Sequence, residues 1–130
     1  MKKIIVGLSF GIAVVFAFTA CVPDKSFDSA LLTGKWSRTS PYATEERPGS
    51  EFYRYDRDGT GATWDTAEEV FEEEAQTFSW TLEKDVLTLA HDMEIGESKV
   101  YKYYTVKVLD DKTLTYEDDF KKSFTFKKSQ

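Results

Sequence analysis

The sequence has few of the residues that cross-link small domains or bind transition metals. Its 130 residues include one cysteine and one histidine, which excludes a disulfide framework and any zinc site built from several Cys and His ligands. Cations are in deficit, with 17 Lys and Arg against 23 Asp and Glu. Because binding to nucleic-acid phosphates needs a cation excess, we expect no nucleic-acid partner. Aromatic residues make up 15% of the chain, too many for a disordered protein, and the length suits one domain.

A long apolar run occurs at the N-terminus, where it has the pattern of a secretory signal. Met1-Lys2-Lys3 is a basic start, Ile4 to Phe18 is mainly apolar, and Thr19-Ala20 precedes the single cysteine, Cys21. Signal peptidase prefers small residues at the last and third-last positions, and Phe18 fits the third-last position badly. Two alternatives stay open. One is an uncleaved membrane anchor, for which the 17 residues up to Ala20 lie at the lower limit; the other is an ordinary signal followed by an incidental cysteine.

The end of this run resembles the lipobox of bacterial lipoproteins, which has a large apolar residue, two small residues and Cys. Phe18-Thr19-Ala20-Cys21 matches that order. The resemblance implies cleavage between Ala20 and Cys21, a diacylglyceryl group on the Cys21 thiol and an acyl chain on its amine. It also implies a cell-envelope protein whose partner is the membrane, held through these acyl chains. Val22, where some bacteria use Asp for retention, favours the outer over the inner membrane.

The chain after the signal divides into a short tether and one domain. Removing residues 1–20 leaves 15 cations and 23 anions, a net charge of -8, so anionic head groups would not attract the domain and the acyl chains must provide the anchoring. Val22 to Ser29 is polar and contains a proline. We therefore assign residues 1–20 to the signal peptide, 21–30 to a lipidated tether and 31–130 to the folded domain.

Alternating polar and apolar residues predict an all-β domain of eight strands. Asp58-Gly59, between two aromatic segments, predicts a tight hairpin, and the prolines of Ser40 to Ser50 predict a loop. No connection is long enough for the crossover helix of a parallel sheet. We expect an antiparallel up-and-down barrel, with a two-sheet sandwich as the alternative. The predicted strands cover residues 34–39, 51–56, 61–64, 77–83, 86–90, 99–109, 113–117 and 123–127.

The start of the domain resembles the lipocalins. Leu32-Thr33-Gly34-Lys35-Trp36 is similar to the Gly-x-Trp motif that opens the first lipocalin strand, and residues 55–61 and 78–82 have the rhythm of short bacterial lipocalin-like lipoproteins. The resemblance covers residues 31–128 and implies that Gly34 and Trp36 close the narrow end of a barrel. Lipocalins often stack a late Arg on this Trp. Every Arg here lies at or before Arg57, so Lys127 or Lys128 must take that place.

No pattern indicates catalysis or a metal. The chain has no Gly-x-Ser-x-Gly elbow, and the lone His91 is expected at a strand end as a surface or turn residue. In an EF-hand calcium loop that began at Asp56, the last position, which needs a bidentate Glu, would be Ala67. The segment therefore does not match a calcium loop. Glu68 to Glu74 is best explained as a solvated segment. We expect no enzyme activity, no metal and no cofactor.

Aromatic residues on the strands suggest either a filled barrel or a cavity for one small ligand. Strand order places the 40–50 loop, the acidic 65–75 segment and His91 at the open end, so we expect an acidic rim that favours neutral or cationic ligands. Phe52 alternates with Arg54, which suggests an inward face, and Lys102 lies in a similar alternation. Either cation could pair with a ligand or extend to solvent. The predicted ligand-binding residues are Trp64, Trp80, Arg54 and Tyr104.

The sequence supports a lipid-anchored monomer that binds a small apolar ligand. Two alternatives have a filled barrel. One is a protein-interaction module, such as an inhibitor of an exported protease, and the other is a structural envelope lipoprotein.

Overall fold

Eight antiparallel strands form a closed barrel in sequence order. The computed structural model describes residues 25–93, 96 and 98–129, so the predicted signal, Ala20 and Cys21 lie outside the described residues. The strands are β1 (Gly34–Thr39), β2 (Ser50–Tyr55), β3 (Thr60–Asp65), β4 (Gln76–Glu83), β5 (Val86–Asp92), β6 (Lys99–Leu109), β7 (Thr113–Glu117) and β8 (Ser123–Ser129). One helical turn, α1 (Ser29–Leu32), precedes them.

The first and last strands pair with each other, which closes the barrel. Trp36 lies opposite Lys128, between the pairs Lys35–Ser129 and Ser37–Lys127. All other ladders join strands adjacent in sequence. The predicted all-β up-and-down barrel is therefore confirmed, and the two-sheet sandwich is excluded because one continuous sheet closes on itself.

The chain enters the barrel at its closed end. Asp28 caps α1 by accepting a hydrogen bond from the Ala30 amide at 2.9 Å, and Leu32 at the end of this turn is fully buried. The Phe27 amide donates to the carbonyl of Lys84 in the β4–β5 turn at 3.1 Å. The folded part of the chain thus reaches back to Phe27, before the predicted boundary at residue 31.

Side chains fill the half of the barrel next to this closed end. The alternation along each strand directs every second residue inward. In the half next to the closed end, which we call the lower half, the inward residues are large and apolar. Because the barrel closes and this core lies within the described residues, we expect residues 25–130 to fold without the N-terminal segment. The buried cluster consists of Leu32, Trp36, Tyr55, Phe78, Leu87, Leu89, Val106, Leu109, Leu114, Tyr116 and Phe126.

Gly61 makes room for one of these core side chains. A Cβ at this position would lie 2.6 Å from the Phe78 ring and would also overlap the carbonyl oxygen of Arg54. Gly34 is required for a different reason. Its φ of +123° is in a region that residues with a side chain rarely adopt.

The inward face of β2 is the opposite of the predicted one. Tyr53 and Tyr55 point into the barrel, where both rings contact Phe78, so Phe52 and Arg54 lie on the outer face. Both alternations contain aromatic residues, and for that reason the pattern alone did not distinguish them.

The opposite end of the barrel is open, and its ladders are incomplete there. It carries the 40–49 loop, the 66–75 segment with two short 3₁₀ turns (Thr66–Glu68 and Glu72–Glu74) and the 118–122 turn. The β6–β7 ladder begins at the pair Thr105–Glu117, so the described residues show no β7 partner for the first part of β6, 99–104. None of the helices in the described ranges has the length and apolar character needed to cross a membrane.

Candidate functional site

The open end of the barrel contains two adjoining recesses of about 560 and 600 Å³. Tyr42, Glu51, Tyr53 and Lys102 line both of them, so they are two parts of one space, which we call the mouth recess. Its volume lies in the range of small-molecule sites, roughly 300–1,000 Å³. The space is open to solvent above and ends below on the buried core. The interior is therefore filled in its lower half and free in its upper half.

Aromatic rings form one wall of the mouth recess. Tyr104 lies 4.3 Å from Tyr116 and 5.9 Å from Phe124, measured between ring centroids. Tyr53 contacts Phe126 edge-on at 5.5 Å. Burial raises the pKa values of Tyr53 and Tyr104 above that of a free tyrosine, so both hydroxyls stay neutral at physiological pH. This wall offers flat apolar surfaces with polar hydroxyl tips.

An ion pair joins neighbouring positions of β1 and β2 in the wall of the recess. The Nε of Arg38 donates to Glu51 at 2.7 Å, and both side chains are mostly buried. The Arg38 guanidinium also lies over the rings of Phe124 and Phe126, at 5.2 and 5.5 Å from their centroids. These contacts hold Arg38 against β8 just above the last β1–β8 ladder pair. They also show that the inward residues include an acid.

A second buried acid, Asp65, is fully engaged by the loops at the rim. One carboxylate oxygen accepts from the Ser40 hydroxyl at 2.6 Å, and the other accepts from the Ala67 amide at 2.9 Å. Asp65 thereby joins the 40–49 loop to the start of the 66–75 segment. Its role is to fix the shape of the rim.

His91 lies inside the mouth recess, not on the surface. Only 7% of the residue is exposed, its ring packs 5.4 Å from Phe78, and its Nε2 has no hydrogen-bond partner among the described residues. Burial lowers its pKa below the usual 6.5, and the charge of Lys102 lowers it further. The expectation of a surface or turn residue was therefore wrong, because the last residues of β5 continue the inward alternation of Leu87 and Leu89.

The four predicted ligand-binding residues do not converge. Tyr104 lines the mouth recess. Trp80 lies near the closed end, where its indole donates to the carbonyls of Asp56 at 3.1 Å and Thr60 at 3.0 Å. Arg54 and the Trp64 ring lie on the outer face, although Trp64 also borders the recess from β3.

The outer-face residues form a separate cluster beneath the 66–75 segment. Trp64 stacks on Phe52 with a centroid distance of 5.1 Å and an interplanar angle of 10°. Glu72 accepts from Lys35 at 3.0 Å and from Arg54 at 2.9 Å, and these hydrogen bonds lower the pKa of its carboxyl. Glu72 therefore fastens the acidic segment to the outside of β1 and β2.

The rim of the mouth recess carries more acids than bases. Its acids come from two connecting segments, while Lys102 and Lys122 contribute positive charge. This arrangement disfavours anions near the entrance. In the described part of the chain, no three His, Cys, Asp or Glu side chains are placed to hold a metal ion. The rim acids include Glu68, Glu74, Asp118 and Asp119.

Sequence reasoning did not identify Arg38, Glu51 or Tyr53 as recess residues. The signal for Arg38 was present, since it shares a face with Trp36. The signal for the other two depended on the face of β2, which the pattern left ambiguous.

No protein-family model, curated protein or solved structure matches the chain.

Proposed function

We propose that this chain is a lipid-anchored lipoprotein of the cell envelope whose barrel binds one small, mainly apolar ligand in the mouth recess. The observation that carries the proposal is the division of the interior. Aromatic and aliphatic side chains pack the lower half, whereas the upper half is a recess of ligand size with aromatic walls. A barrel with only a structural role would gain stability by filling this space as well.

The position of the N-terminal segment supports an anchored binding role. Phe27 and α1 dock at the closed end, so a tether from Cys21 would reach the barrel on the side opposite to the mouth recess. Acyl chains on Cys21 would then hold the closed end toward the membrane and leave the entrance facing away from it. A ligand would enter from the aqueous phase.

The charges at the entrance favour an uncharged ligand. The rim acids outnumber Lys102 and Lys122 at the entrance, and the partly buried Arg38 is already paired with Glu51. The walls supply rings for apolar contact. A neutral ligand meets neither the repulsion at the rim nor the desolvation of its own charge.

A calorimetric titration tests this proposal. Dodecanoate and its methyl ester are compared on residues 25–130, together with the variants Tyr104→Ala in the recess and Phe71→Ala on the outer face. We expect the ester to bind more tightly than dodecanoate. Tyr104→Ala should weaken binding of the ester, and Phe71→Ala should leave it unchanged. Tighter binding of dodecanoate would contradict the role of the acidic rim. Native mass spectrometry of protein purified from its own host would identify the natural ligand.

A protein-interaction role is the second candidate, and the open part of β6 favours it. Tyr101 and Tyr103 are more than half exposed on this strand, and the described residues show no β7 partner beside them. Exposed aromatic side chains at a free strand edge are a frequent site of protein contact. If neither dodecanoate nor its ester binds, this second role is the better explanation.

A further inference from the structure

The first part of β6, residues 99–104, has an open edge on the side away from β5. The Val106 amide donates to the carbonyl of Asp85 at 2.7 Å, so Val106 and every second residue before it direct their N–H and C=O groups toward β5. Tyr101 and Tyr103 therefore direct their backbone groups to the other side, where the β6–β7 ladder has not yet begun. Within the described part of the chain, no backbone group pairs with them there. Backbone donors and acceptors thus lie free along this edge.

A cleft lies directly against the open edge of β6. Four consecutive residues, 101–104, line the first part of the mouth recess. Because successive side chains of a strand point to opposite faces, a space that contacts all four must reach around the edge of the strand. Residues 118–120, Lys122 and Phe124 form the other side of this space. The cleft of about 560 Å³ is therefore a slot between β6 and the β7–β8 hairpin, which we call the edge slot.

Aromatic side chains on both sides of the edge slot are available for contact. Tyr101 and Tyr103, on the outer face of β6, are 57% and 53% exposed, and Phe120 on the opposite turn is 90% exposed. On the inner side, Tyr104 and Phe124 line the slot with their rings 5.9 Å apart. Exposed apolar side chains grouped in this way are typical of interaction sites.

The charges around the edge slot balance, although the whole chain has a net charge of -6. A charged partner of either sign gains little from such a balance, whereas an uncharged partner avoids the desolvation of its own charge. A second copy of the chain fits less well, because its residues 99–104 would bring Lys99 and Lys102 against the same two lysines and because both copies are acidic. The slot is lined by three cations and three acids, which are Arg38, Lys102, Lys122, Glu51, Asp118 and Asp119.

We propose that the edge slot binds an extended, uncharged peptide segment of another protein, which pairs with Tyr101 and Tyr103 as an added strand. An extended backbone presents donors and acceptors at every second residue, which is the spacing of the free groups on β6. The side chains of the peptide would lie alternately against the outer tyrosine rings and against Tyr104, so β-branched and aromatic residues fit best. This inference goes beyond ligand binding in the mouth recess and specifies how the second candidate role would operate.

Amide hydrogen exchange of the full-length chain, followed by NMR, tests the state of the edge. In the free protein, the amides of Tyr101 and Tyr103 should exchange faster than those of Lys102 and Tyr104, which face β5. Acetyl-Val-Thr-Val-Thr-Val-amide at ten times its Kd should slow exchange at Tyr101 and Tyr103 by about tenfold and leave the other two amides unchanged. Equal protection of all four amides in the free protein would overturn the inference. Protection that rises with protein concentration alone would also overturn it, because a second copy would then occupy the edge.

Calorimetry on the full-length chain separates backbone pairing from side-chain contact. The fully N-methylated peptide keeps the side chains but lacks the backbone donors, so it should bind at least about tenfold more weakly than the parent peptide. Tyr103→Pro should bind the parent peptide about fivefold more weakly than Tyr103→Ala, because both variants lack the ring and only proline lacks the edge donor. If the N-methylated peptide binds the wild type as tightly as its parent, pairing with the edge is wrong, whether or not Tyr103→Pro folds.

Charged peptides test the nature of the partner. Replacing both threonines of the parent peptide with aspartate, or both with lysine, should weaken its binding, and tighter binding of either analogue would contradict an uncharged partner. The titration with methyl dodecanoate keeps this inference separate from the proposed function. If the ester binds and the parent peptide does not, the inference fails alone; if the peptide binds and the ester does not, the proposed ligand-binding function fails and the inference stands.

Discussion

The ammonium group of Lys128 lies 4.5 Å from the centroid of the Trp36 ring, and it donates to the carbonyl of Thr33 at 2.6 Å. Lys128 therefore takes the place that a late arginine would occupy on the tryptophan of the Gly-x-Trp motif. The Trp36 indole itself donates to the carbonyl of Leu32 at 2.8 Å. Together these contacts join the last strand, the first strand and α1 at the closed end.

Trp36→Ala should strongly destabilise the barrel. The indole is fully buried, and truncating a buried tryptophan costs about 3–5 kcal/mol. Chemical denaturation of residues 25–130 measures the loss. Lys128→Met, which keeps most of the alkyl chain over the ring, is the milder comparison and should cost about 1 kcal/mol. An equal loss in both variants would mean that the cation, and not the ring, closes the barrel.

Gly61→Ala should destabilise the protein although alanine is the smallest possible addition. The new Cβ would overlap the Arg54 carbonyl oxygen and lie 2.6 Å from the Phe78 ring, and overpacking of this kind costs about 1–3 kcal/mol. Gly59→Ala is the control. Its Cβ meets nothing closer than 3.7 Å, so only the positive φ is penalised, by about 1 kcal/mol. Thermal unfolding compares the two, and a larger effect at Gly59 would contradict the packing argument.

His91 should titrate below its usual pKa of 6.5, because burial and Lys102 oppose its protonation. The unfolded chain then binds this proton more readily than the folded one. The contribution of His91 to stability is therefore intact above about pH 6.5 and decreases as the pH falls below that value. A proton NMR titration of the single histidine gives the pKa. Unfolding free energies should fall less between about pH 6.5 and pH 5 in His91→Phe than in the wild type. An NMR midpoint at or above 6.5 would contradict the buried position.

Glu72→Gln should loosen the 66–75 segment without unfolding the barrel. Its two ion pairs are more than a third exposed on the Glu72 side, so their loss should change global stability by less than about 1 kcal/mol. Quenching of the tryptophan fluorescence by acrylamide should nevertheless increase, because the 66–75 segment then shields Trp64 less well from solvent. Glu73→Gln removes the same charge from the neighbouring residue, which has no ion pair among the described residues, and should leave quenching unchanged.

Cys21→Ser should abolish the incorporation of labelled fatty acid in a bacterial host that processes lipoproteins. Serine has no thiol to accept the proposed diacylglyceryl group, so the chain should stay unprocessed or become soluble. The wild-type protein should carry Cys21 as its modified N-terminal residue, which mass spectrometry of the mature form determines. Label on the Cys21→Ser variant, or a different wild-type N-terminus, would rule out the lipobox.

The strands and their closure could be predicted because most of them alternate unambiguously. In β5 and β7, apolar residues such as Leu87 and Leu114 occupy one face, and short turns force neighbouring strands to pair. The site could be predicted less well. The sequence Ser-Glu-Phe-Tyr-Arg-Tyr of β2 has aromatic residues on both faces, and the outward Phe52 is explained only by its stack with Trp64. That stack depends on the fold as a whole, so local pattern cannot reveal it.

The incomplete ladders at the open end give the barrel walls of unequal stiffness. Strands β1 and β2 are paired along their whole length, whereas Ser123 to Phe126 of β8 have no β1 partner in the described residues, because that ladder ends at Ser37–Lys127. On its other side, the β7–β8 hairpin stays paired with β6 up to Glu117. The contacts that join the unpaired part of β8 to β1 are those of Arg38 with the rings of Phe124 and Phe126. Side-chain contacts, and no backbone hydrogen bonds among the described residues, therefore close the barrel wall between the tops of β1 and β8.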